Sequence, residues 1–217
     1  MTGDRVVGFG SALFASRQVV RPDLVAPIHD GMSFEAAATL PVAFFTVWYT
    51  LDVLAGLRAG EWLLVHDRTG GVGLAAIQIA KRKGARIIAT AGSAMQRAVL
   101  RAEGVARVLD SRSLFLAEEI RALTAKRGVD VVLNSLAGDA MKRSLACLTP
   151  FGRFLELGKQ DFYANTGVGL RVLKENISFH GIDMPGRSWR SARSTRPVPR
   201  RRPRLSPCGG GEWVGLV

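Results

Sequence analysis

The residues best suited to chemistry stand in Leu63-Leu64-Val65-His66-Asp67-Arg68-Thr69-Gly70-Gly71-Val72-Gly73, an apolar run that passes through a glycine-rich turn into a second apolar stretch. Glycines let a backbone turn tightly and approach a ligand closely, and a helix that begins there offers unpaired N–H groups and the positive end of its dipole. Gly70, Gly71, Val72 and Gly73 are therefore read as an anion site of the kind that cradles a dinucleotide diphosphate. A glycine turn also serves simply to pack a helix closely on a strand, and the residue types alone leave both uses open. Further on, Ala89-Thr90-Ala91-Gly92-Ser93 leads to Arg97, with no acid between Arg86 and Leu100. An acid at the end of a second strand would hold the 2′-hydroxyl of NAD, whereas hydroxyls and cations suit a 2′-phosphate, so NADPH is the cofactor expected. Ser93 would serve equally as a helix cap, with Arg97 in solvent.

Metal chemistry has no comparable constellation. His29, His66 and His180 stand singly, and Cys147 and Cys208 lack the paired spacing of metal ligands, so no metal is expected. Two cysteines allow at most one disulfide, and a reducing cytoplasm is the expected compartment.

The elements that must position these residues form a regular pattern. Five β-rich runs, Trp62 to His66, Arg86 to Thr90, Ala106 to Leu109, Val129 to Leu133 and Arg153 to Leu157, are nearly continuous in apolar character, as strands covered on both faces require. Between them lie helical patterns at Val72 to Lys83, Ala94 to Glu103, Leu116 to Lys126 and Asp139 to Leu148. In the third of these, Leu116, Ile120 and Leu123 make one apolar stripe. Alternating strand and helix predicts an α/β domain with a doubly wound parallel sheet, a Rossmann fold. Before it, residues 1–34 read as short strands at Arg5 to Phe9, Ser16 to Leu24 and Ala26 to Ile28. Ser33 caps a helix that starts near Glu35 and is expected to break at Pro41.

A chain of 217 residues, 47% hydrophobic, can bury one good core with a smaller second unit. The longest apolar run, Ala36 to Leu51, contains Pro41 and falls short of the roughly 18–20 residues a membrane span needs, so it is read as core and no membrane partner is expected. The net charge of +12 is uneven: residues 185–217 hold eight arginines against Glu212, a net of +7, which leaves +5 for the rest. That segment has five prolines and no apolar period, and is expected to be a disordered Arg/Pro-rich tail, read in a shifted frame or joined after Met184. Its arginines would attract nucleic acid only nonspecifically.

Four further segments carry a resemblance: Thr39 to Thr46, Val65 to Gln78, Val131-Val132-Leu133-Asn134-Ser135-Leu136-Ala137-Gly138, and Gly152-Arg153-Phe154-Leu155-Glu156-Leu157-Gly158-Lys159-Gln160-Asp161. Together they resemble the enoyl reductase domains of reducing polyketide synthases and animal-type fatty acid synthases, zinc-free members of the medium-chain dehydrogenase/reductase superfamily. The resemblance covers residues 3–184. It implies NADPH-dependent reduction of an α,β-unsaturated acyl thioester carried on acyl carrier protein, with other synthase domains as neighbours and a homodimer as the assembly. It further implies that Gly70, Gly71, Val72 and Gly73 line the diphosphate, that Thr46, Asn134, Ser135, Leu136 and Gly158 lie on the nicotinamide side, and that Ser93, Arg97 and Arg112 meet the 2′-phosphate. Lys159 would act near the substrate carbonyl, with Asp183 as its acidic partner; a lysine at the carboxyl end of a parallel strand can reach the ligand crevice and stabilise an enolate.

The chain also departs from the family. Gln96 stands where the animal-type synthases often have lysine, and Val42 stands where zinc-dependent relatives often supply a ligand. Residues 1–34 resemble only the end of a GroES-like substrate domain, which makes 35–184 the NADP-binding domain of a fragment. Competing readings are a free-standing quinone or enone reductase and an inactive remnant that keeps only the nucleotide-binding fold.

Overall fold

The computed structural model describes residues 3–10, 14–66 and 70–183. The expected tail therefore lies outside the described residues, as do Asp67, Arg68 and Thr69 of the glycine-rich segment. The described residues form two units, 3–42 together with Asp183, and 43–182.

In the first unit, β1 (Val6–Gly8) pairs antiparallel with β2 (Val25–Pro27), Val6 opposite Pro27 and Gly8 opposite Val25. The strand expected over Ser16 to Leu24 does not form; Pro22–Leu24 make a 3-10 turn instead, because proline fixes φ and lacks the donor a ladder needs. Ser33 Oγ accepts the Ala36 N–H at 3.1 Å and opens α1 (Phe34–Val47). The expected break at Pro41 is absent: α1 runs through it and continues as a π-helical stretch, Trp48–Leu54. Pro41 forfeits one backbone bond, whereas continuing the helix buries Ala43, Val47 and Leu51. The combined helical segment, Phe34–Leu54, has 21 residues and is long and apolar enough to cross a membrane by length and composition, which corrects the expectation of a run too short to span. A third of its most apolar stretch is buried, and Val47 and Leu51 are core residues of the second unit.

That second unit is built on β3 (Trp62–His66), β4 (Arg86–Ala91), β5 (Arg107–Asp110), β6 (Val129–Asn134), β7 (Leu148–Glu156) and β8 (Ser178–Gly181). All pair in parallel, in the spatial order β5-β4-β3-β6-β7-β8. Successive side chains point to opposite faces, and both faces are apolar. Leu64 stands in register with Ile88 and Val132, and Val132 with Phe154; this face packs on Leu116, Ile120, Met141 and Leu145. The alternate residues Leu63, Val65, Leu133 and Leu155 pack on Val47, Leu51, Ala75, Ala76 and Ala80. Full burial of each such side chain contributes about 1.5–3 kcal/mol, which is why the strands read as unbroken apolar runs.

The helices that cover the sheet are α2 (Gly71–Arg82), α3 (Ala94–Ala102), α4 (Leu116–Leu123) and α5 (Asp139–Leu145), with a short α6 (Gln160–Tyr163) after β7. α4 stops before the expected Lys126 because Thr124 Oγ1 donates to Ile120 O at 2.8 Å and accepts the Gly128 N–H at 2.9 Å, while Ala125 and Lys126 turn to φ 51° and 66°. α5 likewise ends early, and β7 begins at Leu148 rather than Arg153. Pro150-Phe151-Gly152 hides the strand start with a register shift, Phe151 having φ 62°. β8 has no counterpart among the expected strands; it is an edge strand paired on one side only, with little apolar content.

From β3 the chain winds outward through α2, β4, α3 and β5, then returns beside β3 as β6 and winds the other way through β7 and β8. The reversal opens a crevice beyond the carboxyl ends of β3 and β6, where ligands bind in open α/β sheets.

Candidate functional site

The residues at that crevice come from strand ends. At β3, the last residue, His66, is 2% exposed. Its Nδ1 lies 2.8 Å from Thr90 Oγ1 at the adjoining end of β4, and its carbonyl accepts the Ser135 hydroxyl at 2.7 Å from the end of β6. His66 Nε2 is buried and has no hydrogen-bond partner among the described residues. Burial pushes the imidazole down to about 3, so it is neutral at physiological pH.

Beyond β3, α2 starts at Gly71 with Gly70 as its extended cap residue, which as a glycine offers no side chain to cap the helix. Gly70 and Gly71 are exposed, whereas Gly73 is buried and Val72 half-buried. A Cβ placed on Gly71 would meet only Ala43 Cβ, at 3.5 Å. The anion reading and the close-packing reading of this turn thus divide between residues: Gly73 is enclosed by the fold, while Gly70 and Gly71 leave backbone open to a ligand.

The second strand's end differs from the expectation in detail. Ser93 Oγ accepts the Gln96 N–H at 3.2 Å and caps α3. Arg97 is engaged inside the protein: its Nη1 reaches Asp110 Oδ2 at 2.9 Å and Ala91 O at 3.0 Å. Asp110, at the end of β5, is thus the charge partner of Arg97. Arg112 donates its backbone N–H to Asp110 Oδ1 at 2.9 Å and lays its guanidinium against Gly92.

A groove of about 740 Å³ lies between Gly92, Gln96 and Arg112 on one wall and Leu136, Ala140 and Arg143 on the other. Leu136, which the resemblance assigns to the nicotinamide side, thus shares a wall with residues facing Arg112. Thr46 is buried in α1, its carbonyl accepting the Thr50 hydroxyl at 2.9 Å.

The ends of β6 and β7 are joined by a buried acid to which the sequence motifs assign no role. Glu156, 1% exposed, accepts Asn134 Nδ2 at 2.5 Å and the Gly158 N–H at 2.6 Å. Asn134 also donates to Leu136 O at 2.7 Å and accepts the Leu136 N–H. Burial raises Glu156 to about 7, against the downward pull of its bonds from Asn134 and Gly158; Asp161 adds to the rise and Lys159 opposes it. A Cβ at Gly158 would stand 2.7 Å from Glu156 Oε1, so a larger residue there would require the carboxyl group to shift. The sequence does carry a signal for Glu156: one acid inside the apolar run Phe154-Leu155-Glu156-Leu157.

Lys159 follows at the start of α6. Its Nζ donates to Ile182 O at 2.5 Å and sits 5.7 Å from the Phe162 ring centre. Asp161 Oδ2 accepts the Gly138 N–H at 2.9 Å, where Gly138 turns at φ 63°, and so ties α6 to the loop after β6. Asp183 is exposed. Among the described residues, no three His, Cys, Asp or Glu side chains come together as a metal site, so zinc has no donor set here and no step is assigned to it. A dinucleotide does fit: open glycine backbone at a helix start, a groove with an apolar wall, and cations at its rim.

A family model described as zinc-binding dehydrogenase matches residues 71–195. A phenolphthiocerol/phthiocerol polyketide synthase of Mycobacterium tuberculosis is 48% identical over 182 residues, 84% of this chain and 8% of that protein. A mycocerosic acid synthase-like polyketide synthase of Mycolicibacterium smegmatis is 43% identical over 84% of this chain and 9% of its own length. The chain thus spans less than a tenth of the curated relatives it matches. Among solved structures, the nucleotide-binding subdomain of the enoylreductase domain of PpsC from Mycobacterium tuberculosis is 51% identical, with TM-score 0.62 over 66% of this chain and 80% of that one. The CurK enoyl reductase is 41% identical, with TM-score 0.68 over 81% and 50%.

Proposed function

We propose, for a chain that belongs to the zinc-binding dehydrogenase family and within it to the enoyl reductase regions of polyketide synthases, that it binds NADPH and serves the reduction of an α,β-unsaturated acyl thioester on acyl carrier protein. The observation that carries the reading is the start of α2, where Gly70 and Gly71 leave exposed, side-chain-free backbone at the point where the sheet reverses direction. Bound NADPH would supply a hydride to the β-carbon of the substrate, with a proton then added at the α-carbon.

This chain's own residues have the remaining tasks. Gly70, Gly71, Val72 and Gly73 hold the diphosphate. Thr46, Asn134, Ser135 and Gly158 border the nicotinamide, with Asn134 held in one orientation by Glu156. Lys159, its ammonium anchored on Ile182 O, stabilises the enolate oxygen by charge and passes a proton, and Asp183 is its proposed acidic partner. The substrate carrier, neighbouring synthase domains, a homodimeric assembly and a cytoplasmic setting all belong to this proposal.

Calorimetric titration of the purified chain with NADPH and with NADH, followed by addition of a crotonyl pantetheine thioester, tests it. NADPH uptake with loss of the reduced-nicotinamide absorbance on thioester addition is the expected result. Turnover of a quinone but not the thioester would transfer the assignment to a free-standing quinone reductase, and binding without oxidation would leave a nucleotide-binding remnant. No uptake at millimolar ligand would end the functional claim.

A further inference from the structure

We infer that Arg143, on α5, acts with Arg112 as the pair of cations that recognises the 2′-phosphate of an adenosine 2′,5′-bisphosphate group, and that Arg97 does not. This rests on the dinucleotide reading above and specifies which side chains distinguish NADPH from NADH.

The charge of Arg97 is already matched inside the protein. Its guanidinium is bonded to the Asp110 carboxylate and to the Ala91 carbonyl, and its side chain is 21% exposed. The open hollow beside it, about 420 Å³, contains Arg97, Arg101 and Arg112 but also Asp110 and Glu119, the latter accepting the Ser113 hydroxyl at 2.8 Å. Two carboxylates against three arginines leave little attraction for a dianion.

The larger groove differs in kind. Arg112 and Arg143 both line it, and no carboxylate does. Neither guanidinium has a hydrogen bond or ion pair among the described residues. The Arg112 guanidinium lies over Gly92, its Nε and Nη2 3.3 and 3.5 Å from where a Cβ there would stand, and its backbone, not its side chain, is tied to Asp110. Arg143 approaches from the opposite wall, on a helix fixed by buried Met141 and Leu145. Between them, Leu136, Ala137 and Ala140 offer an apolar surface suited to a flat purine. A purine against small apolar side chains, with a phosphate between two uncommitted guanidinium forks, satisfies each group. Sequence order hides this, because Arg143 lies 31 positions beyond Arg112 and after two further elements.

The test uses the full chain and measures the affinities of 2′,5′-ADP and 5′-AMP by calorimetry, with NADPH and NADH as a second pair. Arg143→Ala and Arg112→Ala should each lower the preference for the 2′-phosphorylated ligand about tenfold, with 5′-AMP binding unchanged. Arg97→Met combined with Asp110→Asn removes that ion pair without exposing a bare carboxylate, and should leave the preference within about twofold. Circular dichroism confirms that each variant is folded, and Arg143→Gln and Arg112→Gln remove the charge with less loss of side-chain volume should an alanine variant fail to fold. An unchanged preference in the Arg143 variants, or its loss in the double variant, would overturn the inference. A wild-type chain that binds both ligands equally would overturn it too, leaving the dinucleotide reading intact. A chain that binds none of the four would remove that reading and this inference together.

Discussion

Asn134 Nδ2 donates to Glu156 Oε2 at 2.5 Å, so that two buried polar side chains at the ends of neighbouring strands β6 and β7 hold each other in place. Through its other oxygen Glu156 accepts the Gly158 N–H, and Gly158 leads directly to Lys159. One carboxyl group therefore links the backbone proposed to border the nicotinamide with the backbone that carries the proposed catalytic lysine.

Titration of Glu156 has a definite sign. Burial raises its pKa from 4.5 to about 7, so between those values the folded chain holds a proton that the unfolded chain has released. The associated stability is fully present below the ordinary value and is lost as pH rises through about 7, by up to ~3 kcal/mol. Urea unfolding at pH 5 and pH 8 should show Glu156→Gln with a smaller loss toward high pH than the wild type. Identical pH dependence in the two proteins would contradict the assignment.

His66 behaves in the opposite sense. With its pKa lowered by burial to about 3, it stays neutral while the unfolded histidine takes up a proton below about 6.5. Its contribution is complete above that pH and declines as pH falls toward about 3. The His66 ring resonances should not move between pH 7.5 and 5 in the folded protein; movement with a midpoint near 6.5 would show an imidazole open to water.

Arg153 and Glu61 form a two-pronged pair at 2.8 and 3.1 Å, with side chains 17% and 20% exposed, and Arg153 Nε also reaches Ala55 O. Lysine cannot reproduce this fork. Arg153→Lys should lower the unfolding free energy by about 1–2 kcal/mol, measured in urea, and a change within about 0.3 kcal/mol would show the fork to be dispensable.

Gly71→Ala separates folding from binding. The new methyl would stand 3.5 Å from Ala43 Cβ, an ordinary contact, and alanine favours a helix, so thermal stability should be kept or slightly raised. NADPH affinity should fall at least tenfold where, as proposed, the diphosphate rests directly on the exposed Gly71 backbone and a methyl would crowd it. Unchanged affinity would mean that the ligand does not lie over this turn.

The class of fold and the location of the crevice follow from the order of residue types alone. Apolar runs such as Trp62 to His66 and Val129 to Leu133 can be satisfied only with cover on both faces, and the intervening helices, ended by glycines such as Gly84 and Gly104 at φ 72° and 74°, force parallel strands. The motifs also put Asn134, Gly158 and Lys159 at strand ends, where the folded chain has them. Local rules failed where a distant partner outweighed them. Pro41 does not stop α1, because burial of Val47 and Leu51 outweighs one lost bond, and β8 exists only because β7 offers it an edge.

The use made of the charges, by contrast, was set by tertiary packing. Arg97 and Asp110 are thirteen residues apart yet meet at 2.9 Å, which gives an acidic partner to a cation that had none near it in the sequence. Glu156 acquires its raised pKa from enclosure, against the pull of Asn134, twenty-two residues away. Periodicity reports which side of an element is covered, because burial is a property of a face. The pairing of individual charges depends on ångström distances between separate elements, and those are set only when the sheet closes up.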